Sequence, residues 1–339
     1  MGGAARFPLE FDQGFAMLLP HAQQMRTCSR ILSLEAHVKA HQGDAKGTTE
    51  ALLALATIDK SLENQPVLVS QLVCVALQGI ATNLTGRLLP YVDFSDEDLV
   101  RLRRVFQQDD FKSGIAHGVI GERVIGSEAF KSPAKSLGPD TGLPNRSFFR
   151  GSNEDLAFYL EIQTDLHEAM ETGYPAALDH VDKVHDKLMV KLDTPFGKIR
   201  YIMTGLTLPA TTAAVRAAAR GDARNRCIDT AIAIEQFRRR EGKLPETLDE
   251  LVPDFLESVP LDPFDGKPIR YVVKTDAYLL YTCGRDRVDD GGIEDDQMTD
   301  EVLRIDLKPS DEASEDSSSA GRDKNEVESA DVLPGENPE

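Results

Sequence analysis

The chain has 339 residues, a formal net charge of −19, 41% apolar and 28% charged residues, four cysteines and no tryptophan. That length allows two domains at roughly 100–200 residues each, and the apolar and charged fractions are those of an ordinary globular chain. The charge excludes a nucleic-acid binder, which needs a basic face for phosphates, and suits a solvated acidic surface or cation binding.

Residues 1–20 read as an irregular N-terminus, with neither the basic stretch nor the continuous apolar stretch of a signal peptide. From residue 22 to 63 the pattern predicts an antiparallel helix pair. Ile31, Leu32, Leu34, Ala36 and Val38 form one apolar run, Gly43-Asp44 the turn, and Leu52, Leu53, Leu55, Ile58 and Leu62 the second run. The pair is tetratricopeptide-like, but no second copy recurs at a fixed period, so it predicts a hairpin and not an array. Val67 to Leu89 forms a third helix after Pro66. It falls in the longest uncharged run, Asn64 to Gly86, whose glutamines, serine and asparagine favour a buried core helix over a membrane span. Ser95 then caps a helix whose first turn is Asp96-Glu97-Asp98. Phe111 to Phe130 predicts another, weakened by Gly114, Gly118, Gly121 and Gly126.

Prolines and glycines across residues 131–152 mark a linker between a helical domain (21–130) and a helical segment (153–206). Asn153 and Pro175 open the two helices of that segment, the second ending near Leu192. Thr207 to Glu241 predicts one long helix with Gly221 as a possible bend. Pro245 to Leu256 follows as a short helix and turn, and Ile269–Val273, Tyr278–Thr282 and Val302–Leu307 as strands. Residues 309–339 hold ten acids, two bases and few large apolar side chains, the composition of a disordered acidic tail. The fold class is therefore mainly α: N-terminal helical hairpins or a bundle, then a long helix leading into a small antiparallel β module across 207–308. No cysteine pair has C-x-x-C spacing, and Cys74 and Cys227 sit in apolar helical runs, so free buried thiols are expected.

The residues from about Asn225 to Leu307 carry a motif series. It runs Arg239-Arg240-Glu241-Gly242-Lys243-Leu244-Pro245, Leu251-Val252-Pro253, Asp262-Pro263-Phe264-Asp265-Gly266, the strand Ile269-Arg270-Tyr271, Cys283-Gly284-Arg285-Asp286 and Asp289-Asp290-Gly291-Gly292. In order and type this resembles the C-terminal half of the type II secretion major pseudopilins. Two features depart from that family: no apolar polymerising helix opens the chain, and Arg287 stands where the family has glycine. Over its whole length the chain also looks like planctomycete proteins in which a helical region precedes this element.

The resemblance implies a calcium-binding acidic loop. Calcium takes six to eight oxygen ligands at about 2.3–2.6 Å in flexible loops, and residues 286–296 offer six carboxylates around a Gly-Gly turn. The candidate ligands are Asp286, Asp289, Asp290, Asp295 and Asp296, the side-chain set being Asp286, Asp289 and one of Asp295 or Asp296. A solvated acidic loop without metal is the alternative, and the twelve-residue EF-hand pattern is absent. Asp262-Pro263-Phe264-Asp265-Gly266 reads as turn chemistry. His180 and His185 are five apart, where a helical metal pair needs four. No nucleophile elbow, phosphate loop, dinucleotide fingerprint or His-Glu-x-x-His motif occurs. The expected function is non-catalytic, a structural or interaction protein with protein partners and a calcium-stabilised module, with no nucleic acid bound and no membrane insertion from the sequence as written. One alternative is an enzyme with its site in the helical region; another is an envelope protein whose true start lies upstream of Met1.

Overall fold

The computed structural model describes residues 7–131, 153–293 and 300–307. The expected linker beyond Lys131 and the expected acidic tail lie outside them. Among the described residues there are nine α-helices and one three-stranded antiparallel sheet near the C-terminus. The fold is mainly α with a small β module.

The N-terminal hairpin is α1 (Pro20–His41) and α2 (Ala45–Thr57). Gly43 turns the chain at φ +72°, and Asp44 caps α2 by accepting the Gly47 amide at 2.8 Å. The buried face of α1 differs from the expectation. Ala22, Ser29 and Ala36 face inward at seven-residue spacing, while Ile31, Leu34 and Val38 are exposed. Small side chains let α1 lie close to its neighbours, so the larger apolar residues end on the outside.

The central helix α3 (Leu68–Leu88) packs against α1, α2, α5 and the long helix. It is the one described helix long and apolar enough to cross a membrane, and most of it is buried inside the protein. Next come α4 (Asp96–Gln107), opened by a reciprocal Ser95–Asp98 capping box, and α5 (Phe111–Lys131). The α5 glycines do not weaken that helix; they are where other elements touch it. A Cβ on Gly121 would lie 1.6 Å from the Pro66 carbonyl oxygen, and one on Gly126 would lie 2.4 Å from the Tyr159 hydroxyl. Gly121→Ala must therefore push α5 away from the start of α3. Overpacking of this kind costs about 1–3 kcal/mol, which a drop in the denaturant midpoint at unchanged slope will show.

Then follow α6 (Asn153–Thr172), α7 (Ala176–Leu192), the single turn α8 (Gly197–Arg200) and the forty-residue α9 (Ile202–Glu241). α9 begins five residues earlier than its pattern suggests, because its cap comes from another helix. Asp155 of α6 accepts the Met203 amide at 3.0 Å and the Thr204 hydroxyl at 2.6 Å. Gly221 lies within the continuous helix, and its bare backbone admits the Phe111 ring, 2.7 Å from where a Cβ would stand. α9 ends at Gly242, left-handed at φ +73°.

One apolar cluster gathers around the first half of α9 with α3, α5, α6 and α7. A second gathers around its latter half with α2, α4, the end of α3 and the sheet. The strands are β1 (Arg270–Val273), β2 (Ala277–Thr282) and β3 (Glu301–Asp306), in order β1-β2-β3. β2 is central and buried throughout, and the Tyr278 hydroxyl donates to Glu235 of α9 at 3.1 Å. All four cysteines are free thiols; Cys74, Cys227 and Cys283 are buried and Cys28 is exposed.

Candidate functional site: the carboxylate field of the β module

The approach to β1 is a tight turn. Leu261 pairs with Pro268, and Asp262 accepts the Phe264 amide at 2.8 Å, folding its side chain inward. Asp265 closes the turn by accepting the Lys267 amide at 3.0 Å. The Asp262 side chain is fully buried, and its other oxygen accepts the Cys283 amide at 2.9 Å. This stitches the turn to the end of β2.

A buried carboxylate needs a partner, and Arg270, the first residue of β1, supplies it. Its guanidinium donates to Asp262, to Asp265 and, at 3.2 Å through Nε, to Asp289. Burial works against ionising Asp265 and Asp289, yet the Arg270 hydrogen bonds and neighbouring amides outweigh it and hold both below the usual carboxylate range. Asp262, Asp265 and the Cys283 sulfur lie within 4.8 Å of one another, a spacing that metal ligands adopt. Here the guanidinium takes the cation's place. The Cys283 thiol is pushed up to about 12 by burial and by the two aspartates, so it stays protonated and is a poor ligand.

The acidic loop begins with a Gly284–Arg287 turn. Gly284 and Arg287 are both left-handed, at φ +59° and +61°. Arg287 thus adopts the conformation that glycine takes readily. Its side chain pairs with Asp179 and Asp182 of α7, tying the loop to the helical region. Asp286 is exposed, and its carboxylate accepts the Val288 amide at 3.1 Å within its own turn. Asp289 accepts the Gly291 amide at 3.1 Å. Gly291 and Gly292 follow at φ +78° and +69°.

The Gly292 amide then donates at 2.8 Å to Asp300, the residue before β3. Asp300 is 4% exposed, and its second oxygen, Oδ1, has no hydrogen-bond partner among the described residues. Burial raises the Asp300 carboxyl, its amide hydrogen bonds lower it, and the charges of Asp289 and Asp290 raise it again. The structure therefore brings Asp289, Asp290 and Asp300 together and leaves Asp286 to its own turn. Asp295 and Asp296 lie outside the described residues.

Asp300 and Arg270 are the members that sequence reasoning missed. The signal for Asp300 was its position. Antiparallel pairing of Thr282 with Glu301 puts the residue before β3 beside the residue after β2, at the base of the loop. Arg270 stood inside the motif series, but only the fold shows its charge directed at three aspartates. No protein-family model, curated protein or solved structure matches the chain.

Proposed function

We propose that the chain is a non-catalytic structural or interaction protein whose pseudopilin-like C-terminal module is stabilised by calcium at Asp289, Asp290 and Asp300. The carrying observation is the Asp300 carboxylate, buried beside two further aspartates with one oxygen unpartnered. Leaving such a group unsatisfied costs about 1–3 kcal/mol or more, and a hard cation with oxygen ligands answers it directly. Arg270 neutralises the inner turn of Asp262 and Asp265 and reaches Asp289 through Nε, so Asp290 and Asp300 are the loop acids for which added positive charge is needed. A long helix laid against a small antiparallel sheet and the left-handed backbone of Arg287 also support the pseudopilin-like reading. The exposed faces of the molecule, the stripe of Ile31, Leu34 and Val38 among them, suit protein partners.

Calcium would bind the folded loop and not the unfolded chain, so its binding energy becomes folding energy. A ligand at a hundred times its Kd adds about 2.7 kcal/mol, on the order of 5 °C for a chain of this size. The test is thermal unfolding of the full chain in calcium, in magnesium and in a chelator. The expected result is a calcium-specific rise that Asp300→Asn removes; identical melting in all three buffers contradicts the reading.

A further inference from the structure

Two cavities meet at the turn between α4 and α5, the larger one opening between the helices and the turn before β1. One, of about 470 Å³, lies among Asp109, Asp110, Tyr174, Asp222 and Asn225, with Lys112 and Arg226 also on its wall. The other, of about 360 Å³, lies among Asp59, Lys60, Asp109 and Asp110. Asp109 and Asp110 border both. These volumes fall within or near the usual range for small-ligand sites, about 300–1,000 Å³.

Several of the surrounding acids are already satisfied. Asp229 is met by Arg103 at 2.8 Å and by Gln107 at 3.0 Å. Asp110 caps α5 through the Ser113 amide and hydroxyl. Others are not. Asp59 is 3% exposed and Asn225 6%, and among the described residues neither Oδ1 has a hydrogen-bond partner. The first lines one cavity and the second lines the other, so buried acceptors without donors sit on both sides of Asp109. Both are oxygens, and what they lack is N–H or O–H.

The site contains an example of the missing chemistry. The Lys60 ammonium sits 2.6 Å from Asp109 Oδ1, showing that this acceptor set accommodates a primary amine. The larger cavity also has an apolar wall of Phe106, Leu261 and Pro263, suited to methylene groups.

We propose that the paired cavity binds an aliphatic diamine or polyamine, whose ammonium groups take the free oxygens of Asn225 and Asp59 on either side of Asp109. The site shares the Asp262 turn with the β module but none of the acidic-loop residues Asp289, Asp290 and Asp300. Burial pushes the Asp59 and Asp222 carboxyls up to about 7, so a bound ammonium would draw them to the ionised form, while the Asn variants keep the side-chain size and should fold.

Isothermal titration of the full chain with spermidine, in buffer holding physiological salt, tests this, with 1,4-butanediol and magnesium chloride as comparisons. The expected result is binding of one spermidine per chain, weakened tenfold or more by Asp222→Asn and by Asp59→Asn. Asp254→Asn, an exposed acid paired with Arg240, should leave it unchanged, as should Asp300→Asn. Absence of spermidine binding overturns the proposal. So does equal binding of the uncharged diol, or an Asp254→Asn effect as large as that of Asp222→Asn, since the latter would reduce the attraction to net charge.

Discussion

Arg270→Met is expected to lower the chain's stability by about 3–5 kcal/mol, the effect of removing one partner from a buried ion pair. The guanidinium is 14% exposed and faces Asp262, whose side chain is fully buried, as well as Asp265 and Asp289. Methionine keeps most of the volume and removes the charge, leaving two inward carboxylates with no counterion in a fold that cannot expose them. Asp262 is hydrogen-bonded to the Phe264 and Cys283 amides, so its displacement frees both the turn before β1 and the end of β2. The loss should appear in urea unfolding monitored by far-ultraviolet circular dichroism. Adding Asp262→Asn should restore part of it, since neighbours in one network are not additive. Calcium should also recover part of it, because Asp262, Asp265 and Asp289 then form a bare oxygen cluster. A loss below about 1 kcal/mol would show that Arg270 does not hold the module together.

Stability should fall as pH rises from about 5 to 8. Three carboxyls are pushed up to about 7, each chiefly by loss of solvent: the buried Asp59 and Glu122 and the half-buried Asp222. Asp59 also faces Asp109, with Lys60 opposing; Asp222 faces Asp110, with Arg226 opposing. In the unfolded chain these groups ionise near 4. Between the unfolded and folded values the native state holds more protons than the unfolded one, so each rise in pH favours unfolding. The slope is on the order of 1 kcal/mol per pH unit for each group inside that window. Asp265 and Asp289 act oppositely, but their folded values are lowered, so they remove stability only as pH falls below the ordinary carboxylate range. The melting temperature should therefore peak near pH 5 and decline toward pH 8. Glu122→Gln and Asp222→Asn should flatten the decline and raise stability at pH 8. A melting temperature that climbs from pH 5.5 to 8 would contradict the assignment of these three groups.

Most of the element order was legible because it rests on local periodicity and local caps. The Ser95–Asp98 box, the Gly43-Asp44 turn, the Gly242 terminus and the three strands stand within a few residues of where their patterns place them. What escaped depends on partners distant in the chain. The α5 glycines look like weak points until Pro66 and Tyr159 are seen against them. The inward face of α1 is its small residues, which an apolar pattern ranks last. α9 starts early because Asp155, some fifty residues before it, caps it.

The same division runs through the candidate site. Asp289, Asp290 and the Gly-Gly turn were visible as a charged loop, and Asp262 to Gly266 as a turn. Arg270 and Asp300 acquire their roles only when the hairpin closes. The paired cavity was invisible for the same reason: it draws Asp59, Asp109, Tyr174 and Asp222 from four separate stretches of chain.

The proposed calcium ion in the acidic loop of the β module would be held through Asp300 and its neighbours. Isothermal titration of calcium into the chelator-stripped full chain tests it most directly, run beside Asp300→Asn and the exposed control Asp286→Asn. One calcium per chain is predicted, with binding lost in Asp300→Asn and little changed in Asp286→Asn. No calcium binding by the intact chain, or undiminished binding by Asp300→Asn, would contradict it.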